Sequence, residues 1–237
     1  MRVVVSIGGS VLAPDLSVEQ VREHAAAIER IAEAGWSVGA VVGGGGVARE
    51  YIGAARALEA NEIALDDIGI AVTRLNARLL IAALEERAAP SPVETYDEGL
   101  EAMRRGDIPV LGGVAPGQTT DAVSAALAEY AEADLLVYAT SVPGVFTADP
   151  AVEEDASHIA SMTAAELVDV IVDTELIAGS SAPVDLLAAK LIERSGMRTI
   201  VLDGTEPGRI VDAVLDGDHD GTDIVPEGTP TDLPQWD

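Results

Sequence analysis

The sequence predicts an α/β fold, a three-layer αβα sandwich built on a largely parallel central sheet. Three observations predict it. Short, β-branched apolar runs alternate with longer amphipathic segments along almost the whole chain, the pattern of strands covered by helices on both faces. Three of those runs lead into glycine-rich loops. The chain has 237 residues, 48% of them hydrophobic, enough to bury one large core without covalent staples.

The elements follow in order. Residues 2–7, 38–42, 108–111, 135–140 and 199–202 read as buried strands, each short and bounded by Gly or Asp. Residues 17–34 open with a Ser and close on Gly35, the end signals of a capped helix. Residues 66–87 place Ile68, Val72, Leu75, Leu79 and Ala82 on one helical stripe. Residues 97–105 stop at Gly106, and 120–133 are Ala-rich. Helices over 163–172, 183–194 and 207–215 complete the set, two of them with Pro in the opening turn. Residues 221–225 read as a turn into a last short strand. The stretch 226–237 has three prolines and no periodicity, and is expected to be a disordered tail.

Charge narrows the function classes. There are 41 acidic residues against 14 basic ones, a formal net charge of -27. Nucleic acid and anionic membranes both need a positive footprint, so neither is an expected partner. The hydrophobic content and periodicity argue against disorder. Adaptation to molar salt explains the imbalance, because there the Debye length is about 3 Å and surface carboxylates repel one another little. Thirteen of the basic residues are Arg, which leaves Lys190 as the single lysine. There is no cysteine, which excludes disulfides and thiolate metal sites. The apolar start is too short for a signal peptide and no stretch is long and apolar enough to span a bilayer, so a cytoplasmic location is expected.

The chemistry concentrates in the loops. Gly8-Gly9-Ser10 follows the first strand, Gly43-Gly44-Gly45-Gly46 the second, and Gly112-Gly113-Val114-Ala115-Pro116-Gly117-Gln118-Thr119-Thr120-Asp121 follows residues 108–111. Ligands collect at the carboxyl ends of parallel strands. Glycines there let backbone N–H groups approach an anion. Three such loops at one sheet edge point to a site for more than one phosphate. In so acidic a chain, backbone dipoles, a bound Mg²⁺ and a few cations must offset that charge, with Arg49, Arg74, Arg78 and Lys190 as candidates. A P-loop is excluded, since the sole lysine stands in Leu187-Ala188-Ala189-Lys190. No G-x-G-x-x-G opens a helix with an acidic partner, which disfavours a dinucleotide fold.

Five segments carry a resemblance: Ser6-Ile7-Gly8-Gly9-Ser10-Val11-Leu12, the glycine loop over 41–49, Gly117-Gln118-Thr119-Thr120-Asp121-Ala122-Val123, Val142-Pro143-Gly144-Val145-Phe146-Thr147-Ala148-Asp149-Pro150, and Gly179-Ser180-Ser181 followed by Ala188-Ala189-Lys190. In that order they resemble the amino-acid-kinase family, and most closely its archaeal-type uridylate kinase branch, from residue 1 to about 226. The resemblance implies transfer of the γ-phosphate of ATP to UMP, in pyrimidine nucleotide biosynthesis. It implies one domain over 1–225, with an acceptor lobe over about 1–133 and an ATP lobe over about 134–225, and a homo-hexamer built as a trimer of dimers.

It also implies residue roles. UMP would be held by Gly44, Asp66, Val114, Ala115, Pro116, Gly117, Gln118, Thr119 and Thr120, with Asp66 accepting from ribose hydroxyls. ATP, with Mg²⁺, would be held by Gly8, Gly9, Ser10, Gly45, Arg49, Thr140, Phe146 and Asp149. Asp121 and Lys190 would be catalytic, the first orienting groups and the second neutralising the phosphoryl in flight. No protein metal ligands are implied. Many relatives carry Lys where this chain has Ser6, and Asp where it has Pro143.

Other acceptors on this fold fit less well. Isopentenyl phosphate kinases are expected to carry a His near the second glycine loop, and acetylglutamate, aspartate and carbamate kinases lack the Thr-Thr-Asp-Ala-Val segment. A non-catalytic nucleotide- or oxyanion-binding oligomer would have no need of Asp121 and Lys190 together. Plainer roles stand beside the chemical ones. Thr120 and Asp121 are good helix caps. Arg74 and Arg78 are one turn apart and suited to pairing with Asp66, Asp67 or nearby Glu. Phe146 suits a core. His24 and His158 are expected at the surface. Asp216-Gly217-Asp218-His219-Asp220-Gly221 with Glu227 mimics a calcium loop, but Asp223 stands where an apolar residue belongs and Pro226 precedes the last ligand.

Overall fold

Arg2–Ile7 (β1) and Ser37–Val42 (β2) pair in parallel, Arg2 opposite Ser37 and Ile7 opposite Val42. Both are runs of Val, Ile and Ala buried on both faces, as the interior of a parallel sheet requires. In this computed structural model residues 1–84, 87–148, 150, 153, 155–175, 184–226 and 228 are described. Val110–Leu111 (β3), Leu135–Thr140 (β4) and Thr199–Asp203 (β8) extend the parallel set. Thr222–Val225 (β9) runs antiparallel to β8, and Ser161–Thr163 (β7) pairs parallel to β9. Among the described residues the order is β3-β2-β1-β4-β8-β9-β7. The chain builds outward from β1 in one direction and then returns to add β4 on its other side. That reversal is a topological switch point, where open α/β sheets bind ligands.

Two helical layers cover the sheet. Gly9–Leu12 (α1), Val18–Glu33 (α2), Glu62–Leu84 (α4) and Gly208–Leu215 (α9) pack over Val3, Val5 and Ile7 of β1. On the opposite face Tyr96–Arg105 (α5), Thr120–Tyr130 (α6), Ala164–Glu175 (α7) and Leu186–Ser195 (α8) cover Val4, Leu136 and Tyr138. Alternate residues of each strand thus feed separate cores, the expected three-layer arrangement. None of the described helices is long and apolar enough to cross a membrane.

Several local expectations need correction. Gly45–Ala57 forms a helix (α3) where the sequence reading placed the glycine loop over 41–49 and named no helix after it. Ala48 is its one buried residue, so packing against α4 sustains it. Helix α4 begins at Glu62 rather than 66, which puts Asp66 inside a helix. Val145–Phe146 (β5) and His158–Ile159 (β6) form a small antiparallel pair that apolar periodicity could not show. His24 is fully buried rather than superficial, its ring nitrogens 2.8 Å from the Gln20 carbonyl and 3.1 Å from that of Gly204. Burial lowers its pKa. His158 is exposed, as expected, and edges onto Phe146. In the calcium-like run Asp220 is forked by Arg209 at 3.2 Å, while His219 meets Asp223 at 3.3 Å. Its last ligand, Glu227, and nearly all of the proposed tail lie outside the described residues.

Candidate active site

The carboxyl ends of β1, β2, β3 and β4 share one sheet edge, and the glycine loops leave from it. Gly43 N–H donates to the Ile7 carbonyl at 2.9 Å, and Gly8 N–H to that of Ala139 at 3.0 Å. The first two loops touch through their backbones. A Cβ on Gly9 would lie 2.3 Å from Gly45 N and 2.5 Å from the Gly43 carbonyl oxygen, closer than any side chain could be accommodated. Gly45 itself has φ +63, a left-handed conformation that favours glycine.

Helix α4 ties these loops to the third. Asn76 Nδ2 donates to the Gly43 carbonyl at 2.8 Å and to that of Gly44 at 3.3 Å. One turn earlier, Thr73 Oγ1 accepts from Gly113 N–H at 2.7 Å and donates to the Ile70 carbonyl at 2.7 Å. Both side chains are buried. Sequence reasoning missed them because it placed Ile68, Val72, Leu75, Leu79 and Ala82 on one stripe; the buried face runs instead through Leu65, Val72, Thr73, Asn76, Ala77 and Leu80, and Leu75, Leu79 and Ala82 are exposed. Arg74 Nε donates to the Gly113 carbonyl at 3.3 Å and its Nη1 to Glu94 at 2.8 Å. Its partners are therefore a loop and a distant Glu, not the helix neighbours expected for it.

Between these parts lies a cleft of about 320 Å³ lined by Gly44, Gly45, Arg49, Asp66, Thr73 and Thr119, among others. That volume is at the small end of ligand pockets. Gly113, Gln118 and Thr120 also reach it. Asp66 Oδ2 accepts from Gly117 N–H at 2.8 Å, joining α4 to the Val114–Thr120 loop across the mouth. Tyr96 Oη donates to Gln118 Oε1 at 3.2 Å from the same side. The loop of Val114, Ala115 and Pro116 turns back through a Gln118 N–H to Ala115 carbonyl bond of 3.2 Å. The N-termini of α3 and α6 both face this cleft, through Gly44 and Gly45 and through Thr119 and Thr120, and helix N-termini favour anions.

Thr119, not Thr120 or Asp121, is the cap of α6: its hydroxyl accepts from Ala122 N–H at 3.1 Å. The same hydroxyl donates to Asp185 Oδ2. Asp185 Oδ1 in turn caps α8, accepting from Leu187 N–H at 2.7 Å and Ala188 N–H at 3.0 Å. Behind them sits Asp121, whose carboxyl is pushed up to about 7 by burial and, secondarily, by the negative charge of Asp185. Ser6 pairs in register with Tyr138, whose hydroxyl donates to the Asp121 carbonyl at 2.8 Å. A small hydroxyl thus stands at the strand position where the resemblance raised the expectation of a lysine. Asp185 was not among the sequence candidates; its signal was an N-cap Asp before the apolar start of a helix.

The remaining residues expected at ATP lie further along the edge. Thr140 Oγ1 donates to the Val142 carbonyl at 2.9 Å and accepts from Val142 N–H at 3.1 Å. Phe146 is half-buried against His158. Gly8 and Gly9 border the Gly45 turn, with Ser10 exposed next to them. Asp149 and the segment around Gly179-Ser180-Ser181 lie outside the described residues. Lys190 is not brought to this group. Its side chain is 51% exposed on α8 and its ammonium pairs with Glu193 at 2.8 Å. The buried face of α8 carries Ala188, Ala189 and Ile192 instead.

Comparison with known proteins identifies the family. Residues 1–203 match the amino acid kinase family. The chain is 72% identical over 236 residues to a uridylate kinase of Halobacterium salinarum, covering all of this chain and 98% of that protein. It is 66% identical to a uridylate kinase of Haloarcula marismortui over 96% of this chain and 100% of the relative. The crystal structure of uridylate kinase from Archaeoglobus fulgidus superposes with a TM-score of 0.84 at 44% identity, covering 95% of this chain and 100% of that one. The chain belongs to the amino acid kinase family.

Proposed function

We infer that this protein transfers the γ-phosphoryl group of ATP to UMP, giving UDP and ADP. The observation that carries the reading is the cleft between the second and third glycine loops, with Gly9 of the first loop packed against Gly45 and the Asp66–Gly117 hydrogen bond joining α4 to the third loop. Full-length similarity to halophilic uridylate kinases supports UMP as the acceptor. UMP lies in the cleft, its ribose hydroxyls donating to Asp66 and its phosphate at Thr119, Thr120 and the start of α6. ATP approaches over the Gly8–Ser10 and Gly45 turns, with Arg49 on its phosphates and Thr140, Phe146 and Asp149 around the nucleoside.

Phosphoryl transfer is helped by positioning and charge stabilisation. The attacking oxygen of UMP is already ionised, so no base is needed. The protein's contribution is to align that oxygen with the γ-phosphorus by backbone N–H groups that cannot reorient. Mg²⁺ carried on ATP fits the donor set. Among the described residues no three carboxylates or histidines converge on one point, and Mg²⁺ commonly takes only one or two carboxylates besides phosphate and water. It would ride on the ATP phosphates and offset charge on the transferring group, while Asp121 orients the reacting groups. Lys190 has no part in this scheme, since its ammonium is engaged at the surface.

The net charge of -27 suits a cytoplasm of molar salt. Exposed Tyr51, Leu58, Ile63, Leu75 and Leu79 on or between α3 and α4 supply apolar surface for a homo-hexamer built from dimers. The test of function is a phosphoryl-transfer assay in molar KCl with UMP, CMP, acetylglutamate and isopentenyl phosphate as acceptors. UMP is expected to be preferred by orders of magnitude; equal turnover of any other acceptor would overturn the assignment.

A further inference from the structure

Asp185 stands 66 residues from Thr119 in sequence yet bonds its hydroxyl. One carboxylate thereby serves two helix starts. Its Oδ1 satisfies the first N–H groups of α8, and its Oδ2 accepts a hydrogen bond from the Thr119 hydroxyl. That donation fixes the hydroxyl rotor, leaving a lone pair for Ala122 N–H at 3.1 Å. Thr119 lines the cleft, so the orientation of a cleft-lining group is set by a residue of α8. Helices α6 and α8 also pack directly against each other, which makes the link rigid.

We propose that Asp185 is a positioning residue for phosphoryl transfer, holding Thr119 and the start of α6 in the geometry that receives the acceptor phosphate. The proposal rests on the reaction inferred above. Asp185 acts through Thr119 and not on the substrate. It also faces Asp121, as does Tyr138 from β4. Removing the Asp185 charge therefore makes Asp121 easier to ionise.

The test is Asp185→Asn, measured beside wild type in the same molar KCl. Asparagine caps helices as well as aspartate does, so α8 keeps its start while the Thr119 hydroxyl loses its carboxylate. KM for UMP is expected to rise about tenfold, the scale of one charge-assisted hydrogen bond, with KM for ATP little changed. The acid limb of the kcat profile should move to lower pH. Thr119→Val should raise KM for UMP similarly, and the double variant should be no worse than either single one. A purely capping role predicts a change in Tm alone. If wild type is active and Asp185→Asn keeps its KM and pH profile, the positioning role is overturned while the assigned reaction stands. If wild type fails to phosphorylate UMP, the reaction is overturned and this role with it.

Discussion

Asp121→Asn should stabilise the protein while disabling it. The carboxyl of Asp121 titrates near 3.8 in an unfolded chain and at about 7 in the fold, because burial and then Asp185 disfavour its charge. Below pH 3.8 it is neutral in both states. Between 3.8 and about 7 the unfolded chain loses this proton while the fold retains it, so stability falls as pH rises. Above about pH 7 the fold carries the full penalty, about 4 kcal/mol at about 1.4 kcal/mol for each tenfold change in proton affinity. Asparagine carries none of it. In a domain of this size 1 kcal/mol moves Tm by about 2–4 °C, so the variant should melt on the order of 10 °C higher at pH 8.5. The gain should vanish toward pH 4. Molar salt screens a buried pair far less than a surface one, so the effect should survive in KCl. The assay is thermal unfolding of both proteins at matched concentration across pH, without nucleotide. Turnover of the variant should fall by at least about 100-fold, the scale for removing one electrostatic group from such a site. A Tm difference independent of pH, or a variant melting lower at pH 8.5, would refute the account of the Asp121 environment.

Three further outcomes follow from single contacts. Lys190→Ala should leave kcat within about threefold of wild type and stability within about 1 kcal/mol, as for an exposed ion pair; a 100-fold fall in steady-state turnover would return Lys190 to the mechanism. Thr73→Val keeps the volume but strips the buried Gly113 N–H of its acceptor, and should cost about 1–3 kcal/mol in denaturant unfolding while raising KM for UMP. Gly9→Ala places a methyl 2.3 Å from Gly45 N, so the two loops must part. Turnover should fall sharply with a loss of about 1–3 kcal/mol, and near-normal kinetics would show that the loops need not touch.

Much of the fold was legible in the sequence because its signals are local. Buried parallel strands announce themselves as unbroken apolar runs such as Leu135–Thr140, and α2 by Ser17 and its apolar stripe. Helix α3 was not legible, since its stability comes from the neighbour it packs on rather than from its own pattern. The capped start of α6 was legible, but which residue caps it was not. Ser, Thr and Asp all suit the position, and the backbone turn decides for Thr119.

Composition and motif alone determined that this is an acidic α/β protein with three glycine-rich turns and segments that resemble the amino acid kinase family. Tertiary structure decided what those turns do together. Gly9 meets Gly45 only because β1 and β2 are adjacent and in register. Thr73 and Asn76 reach two loops only because α4 crosses beneath both. Asp185 finds Thr119, and Lys190 turns to Glu193, according to how α8 lies on α6. Backbone preference and apolar period act within a few residues. Hydrogen bonds between distant segments depend on how layers stack, and a side chain one step around a helix faces solvent instead of substrate.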